Sequence, residues 1–264
     1  MDTTTQGLTI VIILLAMVVS VVVTQFIRRR RDLYALREIR AYGALPRMVG
    51  EAIEANRTVH VALASSGLGA ENTLLALANA ELFYQVLRRT VIGTTAPIFS
   101  VSEASAVPLA QDTLRRAYES RNLIQHYRVG SVRWYPGGTR SLAFAAALTT
   151  TVNEQVGTNV LGGSFGAELA LVTGAAARAN QNVIATSDQL EGQAIAYVMS
   201  DEVLIGEEVF AGGAYLGGSA AQVAGVVTTD VLRWLLILGL LVVVADGLSG
   251  GVFSRLLGSL LGGG

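Results

Sequence analysis

The hydrophobic positions of this chain form two long apolar runs near its ends, the first of them uncharged, and a series of short apolar runs between them. The first long run covers residues 8–27, and a helix of that length is about 30 Å long, enough to cross the hydrocarbon core of a membrane. The second covers residues 231–253 and is also long enough to cross. We therefore predict a transmembrane helix at each position.

The charges beside these runs predict an orientation. A block of four arginines follows the first run directly, and positive charge favours the cytoplasmic side of a membrane. Both termini are then expected outside, with the residues between the runs in the cytoplasm and an apolar tail at 254–264 on the outer surface. Membrane lipids are the expected partners of the interface residues, which are Arg28, Arg29, Arg30, Arg31, Arg233 and Trp234.

The body of the chain alternates between short β-type runs and helical patterns. A basic juxtamembrane segment and helix at 28–57 lead into five such units over residues 58–207. The runs are apolar on both faces, which is typical of parallel strands covered by helices. We predict a doubly wound, mostly parallel five-stranded sheet, an α/β fold that is Rossmann-like, flanked by the two transmembrane helices.

A stretch rich in glycine and alanine joins this body to the second long run. Residues 208–230 have few charges and many small side chains, and a third membrane span there is conceivable. We predict a connector helix instead. Small residues let helix backbones approach closely, so this helix could contact another subunit or pack within its own chain.

Composition excludes several chemistries. The chain has 52% hydrophobic and 15% charged residues. Because its net charge is −1, it has no overall positive potential that would attract nucleic acid. All 19 basic residues are arginine, and there is no cysteine. Mechanisms that need a lysine or a thiol are therefore excluded.

The carboxyl ends of the predicted strands are rich in glycine, hydroxyl and carboxylate groups. In a doubly wound sheet, ligands bind at these ends. The same residue types also favour helix caps and sharp turns, and both interpretations stay open. The candidate ligand-binding residues are Ser66, Gly67, Gly69, Glu103, Gly138, Ser164 and Asp188.

The segment that begins at Gly67 approaches the dinucleotide fingerprint G-x-G-x-x-G. Asn72 replaces the third glycine, and Glu71 would repel a phosphate at the start of the following helix. Glu103 is the one acidic residue that follows the second strand with a spacing suited to ribose. This is a weak signal for a nucleotide.

Residues 162–166 spell G-x-S-x-G, the turn that presents the nucleophile of α/β-hydrolases. In those enzymes a histidine follows the serine, whereas both histidines here, His60 and His126, precede Ser164. A serine without an activating base is a weak nucleophile. We predict no catalytic residue, no metal site and no cofactor; the spacing of Glu103, Glu168, Asp188 and Glu191 does not demand Mg²⁺.

Three segments, PLAQDTLRRAYES, GSFGAELALVTGAAARAN and LIGEEVFAGGAYLGG, resemble an uncharacterised family of bacterial membrane-anchored proteins known only as a domain of unknown function. The resemblance covers roughly residues 30–245. It implies an α/β protein anchored in the bacterial cytoplasmic (inner) membrane, and it assigns no site residues.

Two functions are compatible with these features. The favoured one is a non-enzymatic, membrane-anchored protein whose cytoplasmic α/β domain self-associates into a scaffold or ring, with contacts through the connector and transmembrane helices. The alternative is a membrane-anchored sensor that binds a nucleotide or a small polar ligand at the strand ends.

Overall fold

The structure, a computed structural model, describes residues 3–29, 36–69, 71–137 and 141–248. The chain forms two compact units. Residues 36–218 make up one of them, and the two long apolar helices from the ends of the chain belong to the other.

The helices and strands follow the predicted alternation. The helices are α1 (Thr3–Arg29), α2 (Arg40–Glu54), α3 (Thr73–Thr90), α4 (Val107–Glu119), α5 (Ser141–Val152), α6 (Leu169–Arg178), α7 (Leu190–Met199) and α8 (Ala220–Leu248). The strands are β1 (Thr58–Ala64), β2 (Ile98–Val101), β3 (Val132–Trp134), β4 (Val156–Gly163), β5 (Asn182–Thr186) and β6 (Glu202–Leu204). Asparagines in the left-handed conformation follow α2, α4 and α6, where they help to end each helix: Asn56, Asn122 and Asn180.

The six strands form one sheet in the order β3-β2-β1-β4-β5-β6, and every neighbouring pair is parallel. The predicted α/β class and parallel sheet are confirmed, but the prediction of five strands is wrong. The sixth strand, β6, has three residues, begins with Glu202 and is incompletely buried at the sheet edge. It therefore lacks the apolar run by which the other strands were recognised.

Helices cover the sheet in two groups. α2 and α4 both contact α3, and α6 contacts both α5 and α7. The second group shares a buried core with β1, β4 and β5 that includes Phe144, Leu148, Leu161, Phe165 and Leu169. All eight residues of β4 are buried, which explains why the central strands read as apolar on both faces.

Two helices are long and apolar enough to cross a membrane, as predicted. They are the Thr9–Arg29 part of α1 and the whole of α8, and α1 and α8 contact each other. Arg28 and Arg29 lie in the last turn of α1, whereas Arg233 and Trp234 lie inside α8. Arg30, Arg31 and residues 249–264, which include the predicted tail, lie outside the described residues.

The stretch predicted as one connector helix, 208–230, is divided in the structure. A 3₁₀ helix covers Gly206–Ala211 and a π-helix covers Gly213–Gly217. Gly218 then takes a left-handed conformation with φ of 64°, and α8 begins at Ala220. The many glycines permit these tight and wide turns, so the connector is not a single helix.

Candidate functional site

The order of the strands reverses at the centre of the sheet, between β1 and β4. β1 is followed by strands on one side and β4 by strands on the other, so the carboxyl ends of β1 and β4 border the switch point. The loops there contain most of the predicted ligand residues. Gly138 lies outside the described residues.

Hydroxyl groups tie the loop after β1 to the loop after β2. Ser102 Oγ accepts the N–H of Ser65 at 2.6 Å, and Ser105 Oγ accepts the N–H of Leu68 at 3.1 Å. A Cβ added to Gly67 would lie 2.5 Å from Ser105 Oγ, and the Cβ of Glu103 would be 3.5 Å away. A side chain at position 67 would therefore displace the Ser105 hydroxyl that joins these two loops.

This bonding bears on the dinucleotide fingerprint. The N–H of Gly69 donates to Thr73 Oγ1 at 3.0 Å, and the N–H of Leu68 is already bonded to Ser105. In a phosphate-binding loop, such N–H groups point at the ligand. Here the N–H groups of Leu68 and Gly69 already donate to side chains of the protein, which argues against a phosphate at this loop.

A second hydrogen-bonded cluster joins the loops after β4 and β5. Ser164 Oγ donates to Asp188 Oδ1 at 2.6 Å and accepts a bond from Gln189 Nε2 at 3.1 Å. Ser187 Oγ donates to the Phe165 carbonyl at 2.6 Å and accepts the Phe165 N–H at 3.2 Å. The hydroxyl of the G-x-S-x-G turn is therefore held between a carboxylate and an amide.

The two histidines lie elsewhere. His60 is fully buried within β1, where its ring nitrogens contact Asn159 and Ser100. His126 lies in a 3₁₀ turn, Ile124–His126, after α4. Burial lowers the pKa of His60 to about 4, so the ring is neutral near pH 7. His60 is therefore a packed residue of the core.

The backbone at the end of β4 needs glycine. Gly163 has φ of +107°, and a Cβ there would overlap the carbonyl oxygen of Ala64. The next residue, Ser164, donates its N–H to that same carbonyl at 2.9 Å. The turn thus keeps the ends of β1 and β4 in direct contact, which explains the glycine pair before Ser164.

Two hydroxyls at the strand ends remain without a hydrogen-bond partner among the described residues. Ser66 is fully buried and Thr186 is 2% exposed, and neither side-chain oxygen is bonded. Buried polar groups normally have a partner, so an unbonded hydroxyl at the switch point is the feature of this edge that most favours a ligand or an ordered water.

The strand-end loops thus fall into two clusters. Ser66, Gly67, Gly69 and Glu103 belong to the β1–β2 cluster, and Ser164 and Asp188 belong to the β4–β5 cluster. The list of candidate ligand residues left out the serines and the glutamine that hold the clusters together: Ser102, Ser105, Ser187 and Gln189. Their signal was a hydroxyl or amide side chain within four residues of a strand end.

No group of three His, Asp or Glu side chains in the described parts of the chain is arranged to hold a metal ion. Glu168, one of the carboxylates considered for Mg²⁺, accepts the N–H of Gly166 at 2.7 Å. A groove of about 490 Å³ lies between α5 and α6, and none of the predicted site residues lines it.

A further polar cluster holds the segment before α8 against α2. Glu208 pairs with Arg37 at 2.7 Å and accepts the N–H of Ile205 at 3.0 Å. The rings of Tyr42 and Tyr215 stack with centroids 4.9 Å apart. Tyr42 donates its hydroxyl hydrogen to the Glu208 carbonyl. The cluster therefore joins chain segments from opposite ends of the domain.

Together these features define an α/β protein with a six-stranded parallel sheet and two helices of membrane-spanning length. Residues 2–252 match the family described as Domain of unknown function (DUF6754), so the chain belongs to that family. No curated protein and no solved structure matches it. The resemblance inferred from the sequence is confirmed at the level of the family.

Proposed function

We propose that this chain is a non-catalytic scaffold of the bacterial cytoplasmic membrane, anchored by α1 and α8, whose α/β domain self-associates in the cytoplasm. The observation that carries the proposal is the outward face of α7. Leu190, Ala194, Tyr197 and Val198 have the i, i+4, i+7, i+8 spacing of one helix face, and all four are exposed. Three of them are large apolar residues with exposures of 83%, 70% and 79%.

This α7 stripe has the opposite pattern to an ordinary surface helix. A helix at the surface of a soluble domain normally turns its apolar side inward and its charges outward. In α7 the buried residues are small, Gly192 and Ala196, and Ile195 packs against the core while partly buried. An exposed apolar face of this kind marks an interaction surface.

A second copy of the chain is the occupant that best suits the stripe. The four residues of the stripe carry no charge, and the exposed Glu191 lies at its border, so two copies can pack the stripe against itself with that carboxylate at the rim, as in a two-fold symmetric contact. Anchoring in one membrane raises the local concentration of copies, which favours a contact of modest area. Contacts through α1, α8 and the glycine-rich connector remain part of this proposal.

The absence of cysteine makes the proposal directly testable. Ala194→Cys places a single thiol on the stripe, and Thr150→Cys places one on the exposed side of α5 as a matched control. Under mild oxidation in membranes, we expect Ala194→Cys to form a disulfide-linked dimer and Thr150→Cys to remain mostly uncrosslinked. Adding Val198→Arg should abolish the Ala194 crosslink.

Native mass measurements of the solubilised chain give the independent test. We expect an oligomer for the unmodified sequence and a shift toward monomer for Val198→Arg. A strict monomer in both, or equal crosslinking at positions 150 and 194, contradicts the proposal.

The orientation rests on the four arginines that follow the first apolar run, residues 28–31, and has its own test. The positive-inside rule favours the cytoplasm for the α/β domain. We expect the thiol of Thr150→Cys to resist a membrane-impermeant maleimide in intact cells and to react after the cells are opened. Labelling in intact cells would place the domain outside.

The second candidate function is a ligand sensor, favoured by the buried and unbonded hydroxyl of Ser66 at the switch point. The strand order is the one that dinucleotide-binding folds use, which gives this Rossmann-like candidate further support. A thermal-shift screen of nucleotides and phosphorylated metabolites tests it. Stabilisation that Gly67→Val or Gly69→Val abolishes supports the sensor, and no shift across the panel argues against it.

A further inference from the structure

A basic surface lies where the C-terminal ends of α3 and α4 meet. Arg88 and Arg89 are in the last turn of α3, Arg116 is in the last turn of α4, and Arg121 follows α4. Arg121 Nε donates to the Arg88 carbonyl at 2.9 Å, and the Arg116 guanidinium lies 5.0 Å from the centre of the Tyr84 ring. We call these four arginines and Tyr84 the α3–α4 basic surface.

None of the four cations pairs with an acidic residue in the described part of the chain. Arg89 donates to the carbonyls of Gln85 and Leu216, at 3.5 Å and 3.4 Å. The neighbouring acidic residues of α4, Asp112 and Glu119, both pair with Arg115 instead. Partial burial and the nearby charges of Arg88 and Arg121 lower the pKa of Arg89, which indicates uncompensated positive charge.

Helix capping accounts for only part of this arrangement. Arginines near a helix C-terminus can bond to its last carbonyls, as Arg89 and Arg121 do here. The guanidinium groups of Arg88 and Arg116 make no hydrogen bond within the described residues. These two side chains are therefore available for an anion.

The α/β domain is joined covalently to α8. Arg89 contacts Leu216, which lies four residues before Ala220, the first residue of α8. If α8 spans a membrane, a basic surface on the same chain meets lipid headgroups at a high effective concentration.

We propose that the α3–α4 basic surface binds the phosphate headgroups of anionic lipids and so docks the α/β domain on its own membrane. Arginine suits this role because its planar guanidinium can bond two phosphate oxygens at once. The inference rests on the part of the proposed function in which α1 and α8 span a membrane. It does not depend on self-association.

The test uses the full chain in lipid nanodiscs. Ser120→Cys carries a fluorophore at the exposed end of α4, beside the basic surface, and Thr150→Cys carries the same fluorophore on α5. The discs contain a lipid with a nitroxide quencher on its headgroup, in either phosphatidylcholine alone or phosphatidylcholine with one third phosphatidylglycerol. We expect stronger quenching at position 120 in the anionic discs, its loss at high salt, and a smaller response at position 150.

Charge variants test the residues themselves. Arg88→Gln and Arg116→Gln should each lower the ratio of docked to undocked domain about fivefold, from the usual contribution of a basic residue near an anionic surface. Arg178→Gln removes an exposed arginine of α6 and serves as the matched control. It should leave the ratio unchanged.

Several results would overturn the inference. Equal quenching in neutral and anionic discs shows that charge does not drive docking, and an equal loss with Arg178→Gln shows that the surface is not specific. Displacement by inorganic phosphate or an oligonucleotide at low millimolar concentration identifies a soluble anion as the ligand instead. The same experiment in the Val198→Arg background separates docking from self-association, because docking should persist there. Failure of the chain to enter nanodiscs would refute the anchoring by α1 and α8.

Discussion

His60 Nδ1 lies 2.9 Å from Asn159 Oδ1, and the two residues are direct neighbours on β1 and β4. Asn159 Nδ2 in turn donates to Gln181 Oε1 at 2.8 Å, and Gln181 Nε2 donates to the Val152 carbonyl at 2.6 Å. A backbone carbonyl can only accept, so the direction of the whole series is determined. His60 must carry its proton on Nδ1, and Nε2 accepts from Ser100 at 2.9 Å.

This arrangement predicts that stability depends on pH. Burial holds the pKa of His60 near 4, against a usual value of 6.5, so the unfolded chain binds a proton more readily than the folded one. The stability is complete above about pH 6.5 and falls as the pH drops toward 4, by up to about 3 kcal/mol. Arg133 and Glu154 are the charged groups that act on this ring, and they form an ion pair with each other at 2.7 Å.

Urea denaturation between pH 8 and pH 4 measures the effect, with Trp134 as reporter in a Trp234→Phe background. His60→Gln should be less stable at pH 8 but should have a flatter profile between pH 6.5 and 4.5. Arg133 lowers the pKa of Glu154, so Glu154→Gln should remove a contribution to stability that the wild type has at neutral pH and loses toward the acidic end of this range. A wild-type profile that is flat in this window contradicts the buried neutral ring.

Two glycines offer a comparison of backbone requirements. Gly163→Ala should prevent folding of the α/β domain or lower its stability severely, because the methyl group meets the Ala64 carbonyl and φ is +107°. Gly43 lies exposed within α2 with open space around it, so Gly43→Ala should stabilise by up to about 1 kcal/mol. Thermal denaturation of both variants is the measurement, and equal effects would contradict the left-handed backbone of Gly163 and its contact with the Ala64 carbonyl.

Ser164 should affect stability rather than chemistry. Ser164→Ala removes the bonds to Asp188 and Gln189 and should cost about 1–2 kcal/mol. Thr150→Ala, at an exposed hydroxyl on α5, should change stability by less than about 0.5 kcal/mol. A fluorophosphonate probe that labels the wild type but not Ser164→Ala would establish a serine nucleophile and refute this interpretation.

Glu208 should control the order of the segment before α8. Glu208→Ala breaks the bonds to Arg37 and to the N–H of Ile205, so hydrogen exchange should become faster at residues 205–217. Glu119→Ala removes the ion pair of Glu119 with Arg115 and should leave that segment unchanged. Faster exchange across the whole domain in Glu208→Ala would indicate global destabilisation instead.

The periodicity of the sequence was enough to predict the long apolar helices and the alternation of strands and helices. An uncharged run of 20 residues and repeated apolar runs followed by helical patterns depend on neighbours in the chain, and both predictions agree with the structure. The sixth strand was missed because it begins with an acidic residue and, unlike the equally short β3, is not followed by an α-helix that would mark a strand–helix unit. The single connector helix was wrong because glycine permits several backbone conformations, and packing chooses among them.

The strand-end residues were found from sequence, but their partners were not. The spacing of Ser105 and Leu68, or of Ser164 and Asp188, carries no signal, since each pair meets only after two strands have been placed side by side. The ligand-binding role of these residues stays a prediction.

The amino-acid sequence by itself determined the two long apolar helices, the alternation of strands and helices, and the absence of lysine and thiol chemistry, because these depend on composition and on local periods. Only the tertiary structure decided which faces are covered. In α7, Gly192 and Ala196 turn inward while Leu190 and Tyr197 face outward. A helix that is apolar on most sides does not reveal its buried side, because that depends on the neighbours that the sheet order brings to it.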